Sequence, residues 1–446
     1  MKVKIESSKI IKPFYEDIPP STKRSTKSYI PLSVFDKVTY EAQIAVIYAY
    51  CPPTPPNAAI QLGLQKALAI YREWAGRLGK DEHNNPVILL NDEGVRFVEA
   101  SSNSPLDKII PFKPSASLLN LHPSLNNVVE LVQVQVTRFT CGSLVVGFTA
   151  HHTVADGHST SNFLVAWGQA CRGLDINPLP LHDRTIFNPR NPPLIEYEHK
   201  GAEFMSKFSK KENSLNETHH VTEDIVVHKV HFTVEFLAKL KAKASSMNGN
   251  NNRPYSTFES LVAHLWRAIS KARGLSGFET THIRISVNGR TRLNPRVPNE
   301  YFGNLVLWAF PTAKVKDLLR EPLPYATKLI HDAVIKVNNN YFSSFIDFAN
   351  HKVKEEYLIP TADMNKHILC PNLEVDSWLR FPFYDLDFGT GCPYMFMPSY
   401  FPTEGMMFLL PSFIGDGSID VFIPLFQDNL PTFKKICYSL DLLENY

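Results

Sequence analysis

The chain has 446 residues, of which 44% are hydrophobic and 20% charged, and its formal net charge is +2. This length exceeds what one hydrophobic core normally contains, so we expect two domains. The near-balanced charge argues against a nucleic-acid partner, and no apolar run reaches the length of a signal-peptide core or a membrane span, which predicts a cytoplasmic enzyme without a membrane partner.

The first strongly periodic segment is residues 60–78, where apolar side chains recur at helical spacing and the pattern stops at Gly79. Because glycine commonly follows a helix, we predict one helix there. Farther along, residues 127–139 alternate between apolar and polar side chains, and residues 143–149 are almost wholly apolar. These patterns predict a strand followed by a fully buried strand.

The buried strand leads into a histidine pair, residues 151–152, which is followed by Asp156 and Gly157. Gly157 breaks the chain, and Ser159 or Thr160 is suited to cap a following helix. An imidazole at such a junction is a good general base, because its pKa lies near working pH. We interpret the acid as directed into the fold. A core histidine and a zinc site are the alternatives, and zinc is disfavoured because adjacent histidines on a strand point to opposite faces.

Residues 183–220 differ in character from the rest, with Asn-Pro repeats followed by a lysine-rich run. They predict a long surface crossover between an N-terminal domain, residues 1–182, and a C-terminal domain, residues 221–446. Each half mixes strand and helix patterns, so the predicted fold class is α/β with two mixed-sheet domains.

The second half contains one clear helix pattern and one clear hairpin pattern. Apolar residues recur at helical spacing over residues 258–272, with Ser256 or Thr257 as the predicted cap. Residues 406–413 and 418–426 have strand patterns joined by Gly-Asp-Gly, which predicts a β-hairpin.

Residues 387–391 read Asp-Phe-Gly-Thr-Gly, which alone indicates only a structural turn. In combination with residues 151–157, in this order and at this separation, the string indicates an acyl transfer enzyme. A nucleophilic thiol is the alternative, with Cys141 and Cys392 as candidates, but neither has a helix start or a cation nearby to lower its pKa. The six cysteines lack paired spacing, so we expect free and mostly buried thiols.

Further motifs match one protein family in order along almost the whole chain. They are Pro31-Leu32-Ser33 with Asp36, Ala75-Gly76-Arg77-Leu78, Gln133-Val134-Gln135-Val136-Thr137, Asn288-Gly289-Arg290-Thr291-Arg292 and Tyr301-Phe302-Gly303-Asn304. With these motifs the sequence resembles the plant BAHD acyltransferases, which use acyl-coenzyme A donors. The resemblance implies two chloramphenicol-acetyltransferase-like domains, each with a mixed sheet flanked by helices, and a channel at their interface. It also implies a monomer that takes acyl-CoA as a co-substrate and has no permanently bound cofactor or metal.

The resemblance assigns the chemistry to His152. This residue is expected to deprotonate the acceptor, which then attacks the thioester directly without an acyl-enzyme. Asp156, followed by Gly157, is expected to point away from the channel and to pair with Arg290.

The same resemblance assigns the second string and the donor site. The turn formed by Asp387, Gly389 and Gly391 is expected to lie away from the channel and to hold the domains together, and a segment near residues 365–395 is expected to pack with the N-terminal domain. Coenzyme A is expected to bind near the start of the second-half helix, where a cation, hydroxyls and a helix N-terminus can meet phosphates. The residues concerned are Arg253, Ser256 and Thr257.

The chain departs from the family at Thr390, where the usual residue is Trp. Thr390 is similar to the form in the branch that acylates agmatine and tryptamine with hydroxycinnamoyl groups. Asp363 lies on or near the position where shikimate-using members have an Arg, and carboxylates at this mouth suit a guanidinium or ammonium group. The predicted acceptor is therefore an amine, and ester formation on an alcohol and an inactive ligand-binding protein are the alternatives. The predicted acceptor-binding residues are Ser33, Asp363, Glu374, Asp376 and Trp378.

Overall fold

The computed structural model describes residues 2–15, 28–110, 112–125, 128–208, 224–247, 253–363 and 366–441. Within these ranges the largest elements are two mixed β-sheets. In spatial order, the six strands of the first sheet are β1 (Lys4–Ile11), β6 (Val95–Ser102), β7 (Val132–Phe139), β8 (Leu144–His151), β3 (Gln43–Tyr50) and β16 (Met395–Pro398). Strands β6 and β7 run parallel, and the other neighbours run antiparallel.

The second sheet is built from residues of the second half of the chain. In spatial order its strands are β10 (Ile225–Phe232), β18 (Ile419–Phe426), β17 (Met406–Pro411), β15 (Leu373–Ser377), β11 (Thr280–Asn288) and β12 (Val306–Ala309), and β13 (Thr312–Lys314) also pairs with β11. Strand β15 runs parallel to both β11 and β17. The antiparallel pair β17–β18 confirms the predicted hairpin.

Two smaller sheets and several helices complete the described fold. The smaller sheets are β2 (Tyr29–Pro31) with β5 (Pro86–Leu89) and β4 (Arg77–Lys80), and β9 (Phe204–Ser206) with β14 (Leu358–Pro360). The α-helices are α1 (Asn57–Ile70), α2 (Gly157–Cys171), α3 (Val234–Ala244), α4 (Thr257–Ala272), α5 (Val315–Arg320), α6 (Leu323–Lys336), α7 (Asn339–Glu355) and α8 (Leu430–Ile436). No helix in the described ranges is long and apolar enough to span a bilayer.

Each large sheet has its own hydrophobic core. Helices α1 and α2 pack with the first sheet, and the buried Trp167 of α2 lies in that core. Helix α4 is buried along most of its length in the second core, with Trp266 fully buried. Its start has a capping box, in which Ser256 Oγ accepts from the N–H of Glu259, so the predicted Ser256 cap is confirmed. The predicted α/β class with two mixed sheets is also confirmed.

The helix predicted for residues 60–78 is too long. Helix α1 ends at Ile70, a 3₁₀ turn follows at Arg72–Ala75, and Leu78 already belongs to strand β4. The aromatic ring of Trp74 is buried in the first core, so the apolar pattern continued although the helix did not. Gly79 is therefore a strand residue and not a helix C-terminus.

The predicted crossover is only partly described by the structure. Residues 209–220 lie outside the described residues. The described part contains a 3₁₀ turn at Arg184–Ile186 and strand β9, which pairs antiparallel with β14. This part of the chain is thus integrated into the fold through a strand pair.

The second string, residues 387–391, forms a tight turn against helix α2. Asp387 Oδ1 accepts from the N–H groups of Gly389 and Gly391 at 2.7 and 2.9 Å, and both glycines have positive φ angles of 105° and 107°. The ring of Phe388 lies 4.8 Å from the ring of Trp167. Thr390 is exposed, so no bulky side chain is buried at this position. The chain then continues into β16, so the turn lies at the first core although it follows a strand of the second sheet.

Gly168 of helix α2 is the contact point for this turn, and Gly168→Ala is expected to lower the free energy of unfolding by about 1–3 kcal/mol. The new Cβ would lie 2.8 Å from the carbonyl oxygen and 3.0 Å from the nitrogen of Asp387, and backbone cannot rotate away as a side chain can. Chemical denaturation would measure the loss. Gly277→Ala is the control, because its Cβ would meet Cβ of Lys316 at 3.2 Å and no backbone atom nearer than 3.8 Å. Equal denaturation midpoints for both variants would contradict this expectation.

Candidate active site

His152 directly follows β8, a strand whose residues 144–150 are all buried. The sheet therefore fixes the backbone that carries the imidazole. The N–H of His152 donates to the Ala42 carbonyl at 2.8 Å, and its own carbonyl accepts from Asn304 Nδ2 at 2.9 Å. The half-buried side chain lies in the wall of a large cavity between the two sheets.

The imidazole of His152 has the properties of a neutral base. Burial lowers its pKa below the usual value, although hydrogen bonding to its own backbone and the charge of Asp156 oppose this effect. Its Nδ1 lies 3.0 Å from Thr39 Oγ1. In the tautomer that donates from Nδ1, Nε2 keeps the lone pair that a general base needs. His151 differs, since burial lowers its pKa to about 4 and its Nδ1 accepts from the N–H of Thr153.

Asp156 is directed away from the imidazole and into a buried ion pair. Arg290 Nη1 donates to its Oδ2 at 2.8 Å and Arg290 Nη2 to its Oδ1 at 3.2 Å, and the N–H of Leu305 donates to Oδ2. Burial favours the protonated acid, but the charge and hydrogen bonds of Arg290 outweigh it and the pKa of Asp156 is lowered. Asp156 also accepts from the N–H of Ser159 and is itself the cap of α2, so the predicted Ser159 or Thr160 cap was wrong.

A second buried ion pair contacts the loop of residues 152–156 and was not predicted. Arg184 Nη1 donates to Asp36 Oδ2 at 2.8 Å, and Arg184 Nη2 donates to the carbonyl of Val154. Asp36 Oδ1 accepts from the backbone and side-chain N–H groups of Asn304. Asn304 also donates to the carbonyl of His152, so this pair is linked to the loop that carries the imidazole, and Asp156 of the first pair lies in the same loop. Arg184 lies in the predicted crossover, and no local pattern marked it.

The cavity beside His152 has a volume of about 1520 Å³ and is partly open to solvent. Residues of β3 and β8 from the first sheet and of β11, β15 and β17 from the second sheet contribute to its wall. Pockets for one small ligand typically have about 300–1,000 Å³, so this cavity can hold two substrates together. The imidazole therefore lies where two bound molecules can meet.

The predicted donor residues Arg253, Ser256 and Thr257 all line this cavity. They lie at the N-terminus of α4, where the helix dipole favours an anion. Lys241 of α3 and Lys328 of α6 also line the wall and add positive charge that the sequence pattern did not reveal. This end of the cavity is suited to phosphate groups.

Two of the predicted acceptor residues, Asp376 and Trp378, line the cavity. Glu374 lies behind the wall and accepts a 2.6 Å hydrogen bond from the hydroxyl of Tyr40, which does line it. Burial raises the pKa values of both Glu374 and Asp376.

The structure does not bring Ser33 or Asp363 to the described cavity wall. Ser33 is buried because its Oγ and its N–H are used in a turn with Asp36. Asp363 follows the β9–β14 pair, and two residues before it Thr361 Oγ1 donates to the carbonyl of Ala202. Asp363 was selected because its sequence position lies on or near that of the Arg in shikimate-using members. That position alone does not reveal the path of the chain.

The alternative catalysts have no place on the described cavity wall. Cys141 and Cys392 are exposed and do not line the cavity, and with Cys51 they show that the thiols are not mostly buried as expected. Among the described residues, no group of three His, Cys, Asp or Glu side chains is placed to hold a metal ion.

Two mixed sheets with a histidine on the wall of the cavity between them have the α/β fold of the chloramphenicol-acetyltransferase-like class. The profile of the Transferase family matches residues 1–440. The chain thus belongs to this family, the BAHD acyltransferases indicated by its motifs.

Relatives cover the chain from end to end. It is 51% identical to agmatine hydroxycinnamoyltransferase 1 of Oryza sativa subsp. japonica over 99% of each chain. It is also 51% identical to putrescine hydroxycinnamoyltransferase 3 of the same organism, over 99% of this chain and 100% of the relative. Among solved structures, F. graminearum TRI101 in complex with coenzyme A and deoxynivalenol has a TM-score of 0.73 at 15% identity, over 92% of this chain and 97% of that one.

Proposed function

We propose that the protein transfers a hydroxycinnamoyl group, such as coumaroyl or feruloyl, from coenzyme A to the amino group of agmatine or a similar amine and forms an amide. The observation that carries this proposal is that a base, His152, and a carboxylate, Asp376, lie on the wall of one cavity. The names of the relatives at 51% identity support the same donor and acceptor classes. Agmatine is placed first because a guanidinium group forms two parallel hydrogen bonds with a carboxylate.

The proposed chemistry needs one proton shuttle and no covalent enzyme intermediate. The free-amine form of the acceptor attacks the thioester carbonyl carbon as Nε2 of His152 takes one proton from its nitrogen. The tetrahedral intermediate collapses, the carbon–sulfur bond breaks, and the imidazolium returns the proton to the departing thiolate. The products are the amide and free coenzyme A. The loop that carries His152 is held by the Asp156–Arg290 and Asp36–Arg184 pairs, which supports a fixed position of the ring.

The donor is proposed to enter beside helix α4. Arg253 with the hydroxyls of Ser256 and Thr257 would meet the phosphates of coenzyme A, with Lys241 and Lys328 adding charge. Ser256 Oγ already caps α4, so its contribution to a phosphate would be shared with that role. The coenzyme A in the complex of F. graminearum TRI101 supports this class of co-substrate for the fold.

The acceptor is proposed to bind at the other group of polar residues. Asp376 would accept hydrogen bonds from the cationic end of the amine, and the ring of Trp378 would form the adjoining wall. Glu374 would add negative charge from behind Tyr40.

Asp376→Asn is expected to raise the KM for agmatine by roughly ten- to a hundredfold, the usual cost of losing a hydrogen bond to a charged group. Steady-state kinetics with a fixed coumaroyl-CoA concentration would measure it. Asp332→Asn is the matched control, because Asp332 lines the same cavity but lies beside Lys328 at the donor end. A variant at Asp376 with the KM of the wild type would remove this residue from acceptor binding.

A further inference from the structure

A buried arginine lies on the same sheet face as the two acceptor carboxylates. Strands β11 and β15 run parallel, with Arg284 in register with Glu374. Two residues farther along each strand, Ser286 Oγ donates to Asp376 Oδ1 at 2.6 Å. Since side chains two residues apart point to the same face of a strand, one cation and two carboxylates share this face.

Arg284 is held by aromatic rings, and it forms no ion pair with any carboxylate that the structure describes. Its guanidinium carbon lies 3.8 Å from the ring centroid of Trp308 and 5.4 Å from that of Tyr40, and only 8% of the residue is exposed. Its Nη1 donates to the Tyr40 hydroxyl at 3.2 Å, and the same hydroxyl donates to Glu374. Tyr40 and Trp308 in turn line the cavity.

The remaining donors of Arg284 are poorly satisfied. Its Nε and Nη2 are buried and have no hydrogen-bond partner among the described residues. Leaving a buried cation without a close carboxylate costs free energy that a neutral side chain would avoid. A residue with a purely structural role would normally be better paired, as Arg184 and Arg290 are in the same protein.

Electrostatics shows what this cation does for its neighbours. Burial raises the pKa values of Glu374 and Asp376, and the positive charge of Arg284 opposes that rise for both without cancelling it. The carboxylates also act on each other, since the charge of Asp376 raises the pKa of Glu374. Within the described ranges, the other titratable groups that interact with this cluster are Tyr40 before β3, His152 after β8, His282 on β11 and Lys366 before β15.

We propose that Arg284 is a positioning residue for acceptor binding: it is a buried counter-charge that keeps Glu374 and Asp376 ionised at neutral pH, so that the cavity can bind a cationic amine. This inference rests on the function proposed above. Without Arg284, two buried carboxylates would share one face with no cation among them, and at neutral pH one or both would take up a proton. The cavity would then lose the negative charge that attracts the acceptor, and it would recover that charge only at higher pH.

The test compares the KM for agmatine of Arg284→Gln and of the wild type at pH 6.5, 7.5 and 8.5. The ratio of the two values removes the titration of agmatine itself. The expected ratio is about tenfold at pH 6.5, as for a carboxyl group whose pKa in the variant lies one unit above that pH. The ratio is expected to fall toward one at pH 8.5. Arg284→Lys keeps the charge and is expected to have a ratio near one at every pH. A ratio for Arg284→Gln that is the same at all three pH values would overturn the proposal, because a structural defect has no such pH dependence.

Two further arms make the result decisive. Arg284→Met is prepared in parallel, because the apolar methionine side chain can pack between the two rings if glutamine does not. If both neutral variants fail to fold, Arg284 has a structural role and the proposal is overturned. The wild type tests the proposed function separately. If the wild type makes no amide, the proposed function fails; if it does and the ratio is flat, only the role of Arg284 fails.

Discussion

Replacing His152 with alanine is expected to lower kcat by at least about a hundredfold, the usual contribution of a general base, while coenzyme A still binds. The ring lines the cavity, its burial keeps it neutral, and the surrounding loop holds its backbone through Asn304. The variant removes only the imidazole and leaves the donor end of the cavity unchanged. Steady-state kinetics would measure kcat, and calorimetric titration would measure the affinity for coenzyme A.

His151→Asn is the matched control for this experiment. His151 is adjacent in sequence and half-buried, but it does not line the described cavity and its Nδ1 accepts from the N–H of Thr153. We expect its variant to retain most of the turnover. A rate for His152→Ala equal to that of the wild type would exclude the residue from the mechanism and would favour another base.

Asp156→Asn is expected to lower the free energy of unfolding by about 3–5 kcal/mol, because it leaves the guanidinium of Arg290 buried and uncompensated. Both partners are almost completely buried and share two hydrogen bonds. The lowered pKa of Asp156 means that its contribution to stability is present above the pKa of the unfolded chain and is lost as pH falls through the folded pKa. Denaturation at several pH values would therefore measure both the size of the loss and its origin.

Glu6→Gln provides the comparison for Asp156→Asn. Glu6 pairs with Lys4 on the exposed edge strand β1, where solvent screens the charges. Its removal is expected to leave the denaturation midpoint unchanged. An Asp156→Asn protein that is inactive but as stable as the wild type would contradict the structural role of this acid and would indicate a direct role in catalysis.

The parts of the site that follow from local sequence were predictable. The buried strand before His152 and the capping residue Ser256 each depend on a few neighbouring residues, and each is found in the structure. Prediction failed where the tertiary structure overrode a local pattern. Leu78 continued the helical period by coincidence, and Asp156 took the capping role because its carboxylate was already directed at the start of α2.

The acceptor end of the cavity could not be assembled from sequence because its contacts join distant segments. Tyr40 meets Glu374 and Arg284 across more than 200 residues, and nothing near Tyr40 in the chain indicates either partner. Glu374 and Asp376 share one face of β15, and only the tertiary structure shows that Asp376 lines the cavity while Tyr40 lies in front of Glu374. Composition and motifs predicted an acid at this end but could not select which acid lies on the wall.

The most direct test of the proposed function is a competition assay with purified protein, one equivalent of coumaroyl-CoA, and agmatine and shikimate at equal concentrations, with the products identified by mass spectrometry. The predicted result is coumaroylagmatine in an amount equal to the coenzyme A released. Formation of the shikimate ester without any amide would contradict the account.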